Sequence, residues 1–295
     1  MNSRTRQIYV LAAVSLFALG CGAVGEERTA TISRTWPAAS IREIDLKEID
    51  GSVDVTAAPV SEISLVARVR SRGIKPDPSK ENKGYFETKL SGDTLVIGHR
   101  HEVRVRIPFF YSNDVSIDYE LRVPTAIALD LKTVNGRIAT RGVDGEMEAT
   151  TVNGTLDLET NGTKELVATA VNGHVKARFL RDFQGARLKT VNGGVEAVLP
   201  QSASFACDLS QVNGDFEASF PLSIHSHPGR RRVSGDVNGG RHDLQITTVN
   251  GDIHIDNGGA VTPPPPIPAS PAVPALPSIP PPPAPPQSPA GSSAS

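Results

Sequence analysis

The stretch that decides the fold is Met147-Glu-Ala-Thr-Thr-Val-Asn-Gly-Thr-Leu-Asp-Leu-Glu-Thr160, in which two short alternating runs flank a Val-Asn-Gly tripeptide. Apolar residues occupy every second position in both runs, which is the pattern of a strand buried on one face. Asn-Gly supplies the positive φ angles that a tight turn needs. The stretch therefore predicts a strand, a corner and a second strand.

The same tripeptide occurs seven times, beginning at residues 134, 152, 171, 191, 212, 237 and 249. Its asparagines are 18, 19, 20, 21, 25 and 12 residues apart, and the last two intervals together span 37 residues, close to two periods. We therefore expect Asn238 to mark an extra turn inside a coil and Asn250 to resume the series. A period near 19 residues indicates a repeat architecture. The predicted structural corner residues are Asn135, Gly136, Asn153, Gly154, Asn172, Gly173, Asn192, Gly193, Asn213, Gly214, Asn250 and Gly251.

Two all-β folds fit this pattern, an antiparallel meander and a β-solenoid. A meander would use each Asn-Gly as a hairpin turn, whereas a solenoid would stack equivalent corners and strands in parallel, one coil above the next. A meander gives no reason to keep Val-Asn-Gly at every second turn, but stacked corners do. The sequence favours a single-stranded β-solenoid, similar to a right-handed parallel β-helix, with about 19 residues per coil.

The β pattern extends beyond the repeats. Residues 126–258 hold the tripeptides, and residues 30–125 alternate less regularly, as in Ile44–Val55, which has the pattern of two strands about an Asp-Gly turn. We expect residues 30–258 to form one β domain that begins with an irregular β section. Alternate apolar residues should fill its core, and Cys207 falls in phase with them.

The amino terminus predicts export. Residues 1–20 combine a basic start with thirteen mostly apolar residues, about 20 Å of helix against a bilayer core of about 30 Å, which is typical of a signal peptide. Small residues run into Cys21, as in a bacterial lipobox, so residues 21–29 would be a lipidated linker. The alternatives are plain secretion or an uncleaved anchor over residues 7–25. Lipidation of Cys21 would leave Cys207 as the single thiol and exclude an intramolecular disulfide.

The carboxyl terminus predicts a Pro-rich disordered tail over residues 259–295. Fifteen of the 24 prolines lie after residue 262, and proline lacks the N–H that sheet pairing requires. Polyproline II is the expected local conformation. A spacer, or a ligand for a proline-binding groove, is the alternative interpretation.

Composition and motifs argue against several activities. The net charge of −2 and the 14 aromatic residues do not favour nucleic acid as a partner. The pairs His99/His101 and His225/His227 lack the further ligands of a zinc site, so we expect no metal and no cofactor.

Carboxylates and arginines are the remaining candidates for chemistry. Asp157, Asp215 and Asp252 are regularly spaced, as in β-helical polysaccharide-degrading enzymes, but each follows a glycine corner where polar residues are expected anyway. The insertion of residues 221–232 concentrates basic charge and is a possible binding loop for an acidic glycan or headgroup, although a solvated loop is the simpler interpretation. Its arginines are Arg230, Arg231 and Arg232.

The serial Thr-Val-Asn-Gly units, together with a strand ending in Val123-Pro124 and the lipobox-like start, resemble a bacterial family of adhesin-like cell-envelope domains of unassigned biochemistry. The resemblance covers about residues 40–256 and implies a β-helical fold without catalytic residues. It implies a non-enzymatic, lipid-anchored envelope protein that binds a protein or glycan partner along a repetitive polar face. The alternatives are an envelope structural or stress-response component acting through the Pro-rich tail, and a polysaccharide-degrading enzyme.

Overall fold

The computed structural model describes residues 27–72, 86–99, 115–227 and 230–258. Within these residues the chain forms 21 β-strands and one 3-10 helix, Ala38–Ser40. The first seven strands are β1 Glu27–Pro37, β2 Glu43–Lys47, β3 Val53–Ala57, β4 Glu62–Arg72, β5 Phe86–Ser91, β6 Thr94–His99 and β7 Val115–Val123. The next eight are β8 Ala128–Asn135, β9 Ile138–Val143, β10 Met147–Asn153, β11 Leu156–Thr160, β12 Leu166–Asn172, β13 Val175–Phe179, β14 Ala186–Asn192 and β15 Val195–Pro200. The last six are β16 Phe205–Asn213, β17 Phe216–Ala218, β18 Ser223–His227, β19 Arg230–Val237, β20 His242–Asn250 and β21 Ile253–Gly258.

The strands form two large sheets that face each other across one core. One sheet has the order β1-β4-β7-β3-β9-β11-β13-β15-β21-β17, and the other has the order β18-β19-β16-β20-β14-β12-β10-β8-β2-β6-β5. Strands of successive repeats, such as β8, β10, β12 and β14, are parallel neighbours. The all-β, solenoid-like prediction is therefore confirmed, and the antiparallel meander is wrong for the repeat region.

Each coil of the repeat region contributes one strand to each sheet and bends at a Val-Asn-Gly corner. The register places Asn135, Asn153, Asn172 and Asn192 directly above one another. The inward positions that alternation predicts are buried, with the exception of Phe216, which is only partly buried in the last coil. The repeated buried residues from the first strand of each coil are Leu131, Ala149, Ala168, Leu188, Leu209 and Ile246, and those from the second are Ile138, Leu156, Val175, Val195 and Ile253.

The regular stack begins earlier than the count of tripeptides indicates. Strands β2 and β3 pair in parallel with β8 and β9, so residues 43–57 form a coil within the section for which the sequence predicts irregular structure. Its corner is Asp50-Gly51, and Asp50 forms a parallel bridge to Asn135. The irregular part consists of the antiparallel strands β1, β4 and β7 in one sheet and the β5–β6 pair in the other.

The order of the last two coils corrects the sequence prediction. Strand β20 lies between β14 and β16, and β21 lies between β15 and β17. Asn250 therefore does not continue the stack beyond Asn213 but sits between Asn192 and Asn213. Periodicity could not reveal this order, because both coils carry the same alternating pattern and fit the same register.

The insertion of residues 221–232 is also different from the expected loop. Strands β18 and β19 form an antiparallel hairpin, and β19 pairs with β16 so that the hairpin extends the eleven-stranded sheet. Ile224 lies opposite Val233, and His225 lies opposite Arg232. The sequence of this segment predicts a loop, because its prolines and arginines are prominent and its β alternation is short and weak.

Candidate functional site: the corner ridge

The stacked corners form a continuous ladder of side-chain amides along one edge of the solenoid. Each ladder asparagine donates a hydrogen bond through its Nδ2 to the Oδ1 of the neighbouring ladder residue on the side of Asp50, over 2.7 to 2.9 Å. The donors, counted away from Asp50, are Asn135, Asn153, Asn172, Asn192, Asn250 and Asn213. Six bonds therefore join seven coils at a solvent-exposed edge.

Asp50 fixes the direction of this ladder. An ionised carboxylate can only accept hydrogen bonds, so Asn135 must turn its amide nitrogen toward Asp50. The Oδ1 of Asn135 then faces the next coil and accepts from Asn153, and the same choice is repeated at every later corner. The amide dipoles are consequently aligned, and the first bond is assisted by charge.

Close backbone approach explains the glycine of each corner. A Cβ atom on Gly173 would lie 1.6 Å from the carbonyl oxygen of Gly154, and a Cβ on Gly154 would lie 1.7 Å from that of Gly136. The backbone bond from Gly154 N to Asn172 O, at 3.1 Å, holds adjacent corners at this separation. No side chain larger than hydrogen fits between the corners.

The positive φ values expected of Asn-Gly occur at only some of the ladder corners. Gly193, Gly214 and Gly251 have φ angles of 151°, 129° and 157°, whereas no ladder asparagine has a positive φ. The close backbone approach is the feature that all of the ladder corners share. Among the described residues, Asn238 is the only non-glycine residue with a positive φ, at 49°. Gly239 follows at 93°, and Gly240 N donates to Val237 O, so this copy alone forms a turn with both central φ values positive. Asn238 lies outside the ladder, in agreement with its short spacing to Asn250.

Buried polar side chains support three of the Val-Asn-Gly corners from inside. Thr190 Oγ1 donates to Gly173 O over 3.1 Å, and Thr248 Oγ1 donates to Gly193 O over 3.3 Å. In the coil of β16 and β17, which follows the C-terminal β20–β21 coil in the stack, Gln211 takes the place of threonine. The Gln211 Nε2 group donates to Gly251 O and Asp215 O, over 2.8 and 3.1 Å. These bonds satisfy carbonyl groups that the bend turns toward the core.

A buried carboxylate supports the first corner. Glu48 occupies the position of the supporting threonine and is 3% exposed. Its Oε1 accepts hydrogen bonds from the backbone N–H groups of Ile49 and Asp50, over 2.9 and 3.2 Å. Burial, together with the neighbouring Glu48 carboxylate, raises the pKa of the Tyr119 hydroxyl well above its ordinary value. Ile-Asp-Gly is the sequence signal for this corner, but it does not match the Val-Asn-Gly tripeptide.

Exposed valines flank the amide ladder. Five of them have between 37% and 43% of their surface in contact with solvent, and Val191 is half-buried. The exposed members are Val134, Val152, Val171, Val212 and Val249. We call the valines and the ladder residues together the corner ridge. At about 4.8 Å per coil, seven coils give the ridge a length of roughly 30 Å.

The corner ridge can make two kinds of contact. Each ladder amide except the terminal Asn213, which only donates, uses one N–H and one oxygen lone pair within the ladder. A second N–H and a second lone pair are left for a ligand. The neighbouring isopropyl groups present apolar surface at the same spacing. Apart from Asp50, the residues of the ridge are uncharged.

The charges on the flat sheet faces mostly pair with each other across coils. Lys176 Nζ lies 2.6 Å from Glu196 Oε1, and Arg137 Nη2 lies 3.0 Å from Asp157 Oδ2. Asp252 Oδ1 accepts a hydrogen bond from the backbone N–H of Asp215 over 2.8 Å. Asp157 and Asp252, two of the three candidate enzymatic carboxylates, therefore make contacts between coils.

The structure separates the other candidate residues. Arg232, the last of the three arginines Arg230, Arg231 and Arg232, binds Asp208 through two hydrogen bonds of 3.1 and 2.8 Å, and this carboxylate raises the pKa of the guanidinium. Cys207 is 4% exposed, and burial raises the pKa of its thiol to about 12. In the part of the chain that the structure describes, no three His, Cys, Asp or Glu side chains are grouped to hold a metal ion. Cys21, His101 and the Pro-rich tail lie outside the described residues.

These features define a two-sheeted, solenoid-like β-domain whose coils are joined by an asparagine ladder. The chain belongs to the Toastrack DUF4097 family, whose profile matches residues 22–256. The family resemblance inferred from the repeats is thereby confirmed. No match was found among curated proteins.

Solved structures with a similar chain path are distant in sequence. A candidate cell adhesion protein from Clostridium sporogenes is 10% identical, with 79% of this chain and 99% of that chain covered and a TM-score of 0.45. A candidate adhesin from Bacteroides fragilis is 10% identical, with 76% and 96% covered and a TM-score of 0.26. A candidate adhesin from Parabacteroides merdae is 11% identical, with 77% and 96% covered and a TM-score of 0.28. Over the described ranges, no helix has the length and apolarity to cross a bilayer.

Proposed function

We propose that this chain is a non-enzymatic, lipid-anchored protein of the bacterial cell envelope, and that its adhesin-like domain binds an extended protein or glycan partner along the corner ridge. Residues 1–20 would direct export, Cys21 would carry the lipid, and residues 21–29 would link it to the domain. The coils would wind as a right-handed single-stranded helix of about 19 residues per turn. No cofactor is required for this function.

The observation that carries the proposal is the repetition of unused binding groups along the ridge. Spare amide groups and exposed valines recur in register from one coil to the next. A partner with its own linear repeat would form many weak contacts, whose combined strength exceeds that of any single contact. The charged side chains of the flat faces are less available, because Lys176 and Arg137 already have partners in neighbouring coils.

A binding experiment with matched valine variants tests the ridge. The full chain with Cys21→Ser, which removes the lipidation site, is applied to an array of linear polysaccharides and purified extracellular matrix proteins. Val152→Ser with Val171→Ser removes two exposed apolar groups of the ridge. Val167→Ser is the matched control, because Val167 lies on the same strand as Val171 and faces outward on the sheet face.

We expect the double ridge variant to lose at least tenfold in affinity for its captured ligand and the control to bind as the parent does. Equal losses in both variants, or capture of no ligand by the parent, would contradict the proposal. Deletion of residues 262–295 distinguishes the alternative, because loss of binding with an intact ridge would assign capture to the Pro-rich tail.

Lipid attachment has its own test. A bacterial host supplied with a fatty acid analogue should label the full chain, and Cys21→Ser should abolish the label. Labelling that survives this substitution would show that Cys21 is not the anchor.

A further inference from the structure

The last coil that the structure describes along the sequence is inserted between two coils, one of which directly precedes it in sequence. We call residues 242–258, which contain β20 and β21, the C-terminal coil. Strand β20 pairs with β14 on one side and β16 on the other, and β21 pairs with β15 and β17. The C-terminal coil therefore fills a slot that the rest of the solenoid-like stack forms.

The contacts of the C-terminal coil resemble those of an interior coil. Its four inward apolar side chains are fully buried, and they are Leu244, Ile246, Ile253 and Ile255. Asn250 donates to Asn192 over 2.9 Å and accepts from Asn213 over 2.8 Å. If the C-terminal coil left the slot, two apolar coil faces and two rows of backbone hydrogen-bonding groups would lose their partners.

The slot is specific for a coil of this sequence pattern. The coils on its two sides present Asn192, whose Oδ1 accepts, and Asn213, whose Nδ2 donates. A segment that enters the slot therefore needs an asparagine in register with both, which donates to one and accepts from the other. Gly251 must also lack a side chain, because a Cβ there would lie 1.9 Å from Gly193 O. A second copy of this chain carries a segment that meets each requirement.

A short turn connects the C-terminal coil to the remainder of the domain. Asn238, Gly239 and Gly240 have φ angles of 49°, 93° and 62°, and Gly240 N donates to Val237 O. The turn is held by Ser204, whose Oγ donates to Asn238 O over 2.8 Å and accepts from Arg241 N over 3.1 Å. Opening this turn would release the C-terminal coil, since no described strand follows it in the sequence.

We propose that two copies of this chain exchange their C-terminal coils, so that each slot holds the coil of the other copy. The exchange is reciprocal and therefore closes as a symmetric dimer. Every contact within the slot is the same in the monomer and in the dimer, and only the turn changes its conformation. The equilibrium then depends on protein concentration and on the stability of the turn.

Cys207 provides a direct readout of this exchange. It lies opposite Leu244 in the register of β16 and β20, and both side chains are buried. Adjacent strands lie about 4.8 Å apart, within the Cα separation of a disulfide. Leu244→Cys in a Cys21→Ser background leaves two thiols, at positions 207 and 244. Their disulfide links two chains in an exchanged dimer and closes a loop within one chain in a monomer.

The full chain is refolded over a hundredfold range of concentration, separated by size, oxidised and analysed without reductant. We expect the dimer fraction to rise with concentration and the dimer to contain disulfides between chains. The matched control is Ala168→Cys with Leu188→Cys in a Cys21→Ser and Cys207→Ser background, because that in-register pair lies in coils that are not exchanged. Its disulfide should remain within one chain.

A second cysteine pair tests the exchange if the pair at positions 207 and 244 does not form a disulfide. Leu209→Cys with Ile246→Cys, in the same background without Cys207, joins the same two strands. Ser204→Ala, which removes the side chain that holds the turn at Asn238, should raise the dimer fraction at least threefold, whereas Ser202→Ala, at an exposed position two residues earlier, should not. A chain that stays monomeric at every concentration, or dimers whose disulfides all close within one chain, would overturn the proposal.

Discussion

The most demanding test of the stacked corners is the substitution Gly173→Ala. The new Cβ would lie 1.6 Å from Gly154 O, whereas ordinary contact begins near 3.4 Å, so the two coils must separate locally by about 1.8 Å. Three bonds cross this interface near the clash. They are Gly154 N to Asn172 O at 3.1 Å, Leu156 N to His174 O at 2.9 Å, and Asn172 Nδ2 to Asn153 Oδ1 at 2.8 Å. A separation of that size takes all three beyond hydrogen-bond range.

The loss of free energy follows from these contacts. Each hydrogen bond contributes about 1 kcal/mol, and forcing an atom into a packed site costs about 1–3 kcal/mol, although relaxation recovers part of the total. We therefore expect Gly173→Ala to lower the free energy of unfolding by about 3–5 kcal/mol, a large share of the roughly 5–15 kcal/mol typical of a folded domain.

Urea unfolding followed by far-ultraviolet circular dichroism measures this difference. With a denaturant slope of about 2–3 kcal/mol per molar for a domain of this size, the midpoint should fall by about 1–2.5 M. Gly98→Ala is the matched control, because a Cβ there meets no atom within 4 Å, and its midpoint should stay within about 0.3 M of the parent. If Gly173→Ala were as stable as Gly98→Ala, the close approach of the corners could not explain their glycines.

Two further predictions concern the ladder and the core. Asn172→Asp replaces the donor to Asn153 by an acceptor and should lower the free energy of unfolding by about 1–2 kcal/mol at pH 7. Asp50→Asn should lower it by less than about 1 kcal/mol, because residue 50 only accepts and the variant loses the charge assistance but keeps the bond. Equal urea midpoints for the two variants would contradict the assigned ladder direction. Burial raises the pKa of Cys207 to about 12, so the folded state holds this proton more tightly than the unfolded state does. The contribution of this thiol to the free energy of unfolding is fully present below about pH 8.5 and is lost as pH rises toward 12, by about 1–2 kcal/mol between pH 8 and pH 10. In Cys207→Ala, the urea midpoint should therefore fall less between pH 8 and pH 10 than in the parent. An equal fall in both proteins would refute the assignment.

The positions of the corners could be predicted from sequence, because each copy of the tripeptide marks a bend within its own coil. Val-Asn-Gly marks the bend, and the alternating residues on either side mark the buried faces, so the repeat spacing alone places Asn153 and Asn172 above one another. The physical role of the glycine could not be inferred in the same way. A positive φ is a local property that Asn-Gly suggests, whereas the contact between Gly173 and Gly154 depends on a neighbour 19 residues away.

The first corner and the last coil were harder to predict, for different reasons. Asp50 ends the ladder and only accepts a hydrogen bond, so this position does not need an amide and the Val-Asn-Gly tripeptide does not mark it. The order of the last coils was hidden because Asn213 and Asn250 lie in equivalent sequence patterns. A repeated pattern does not determine the order in which its copies stack. Here the stacking order depends on the hairpin of β18 and β19 and on the turn at Asn238.

The stack and the surface of the corner ridge place different demands on neighbouring residues. Asn172 must remain an amide, because it bonds to the coil on either side, and Gly173 must remain small. Val171 carries no such requirement, since 38% of its surface is exposed and it points away from the core. Threonine would suit a strand end equally well and would interact better with water. The exposed valine before a ladder asparagine is therefore the position at which the proposed binding can be tested with little effect on the stack, and for this reason the valines separate binding from stability in an experiment.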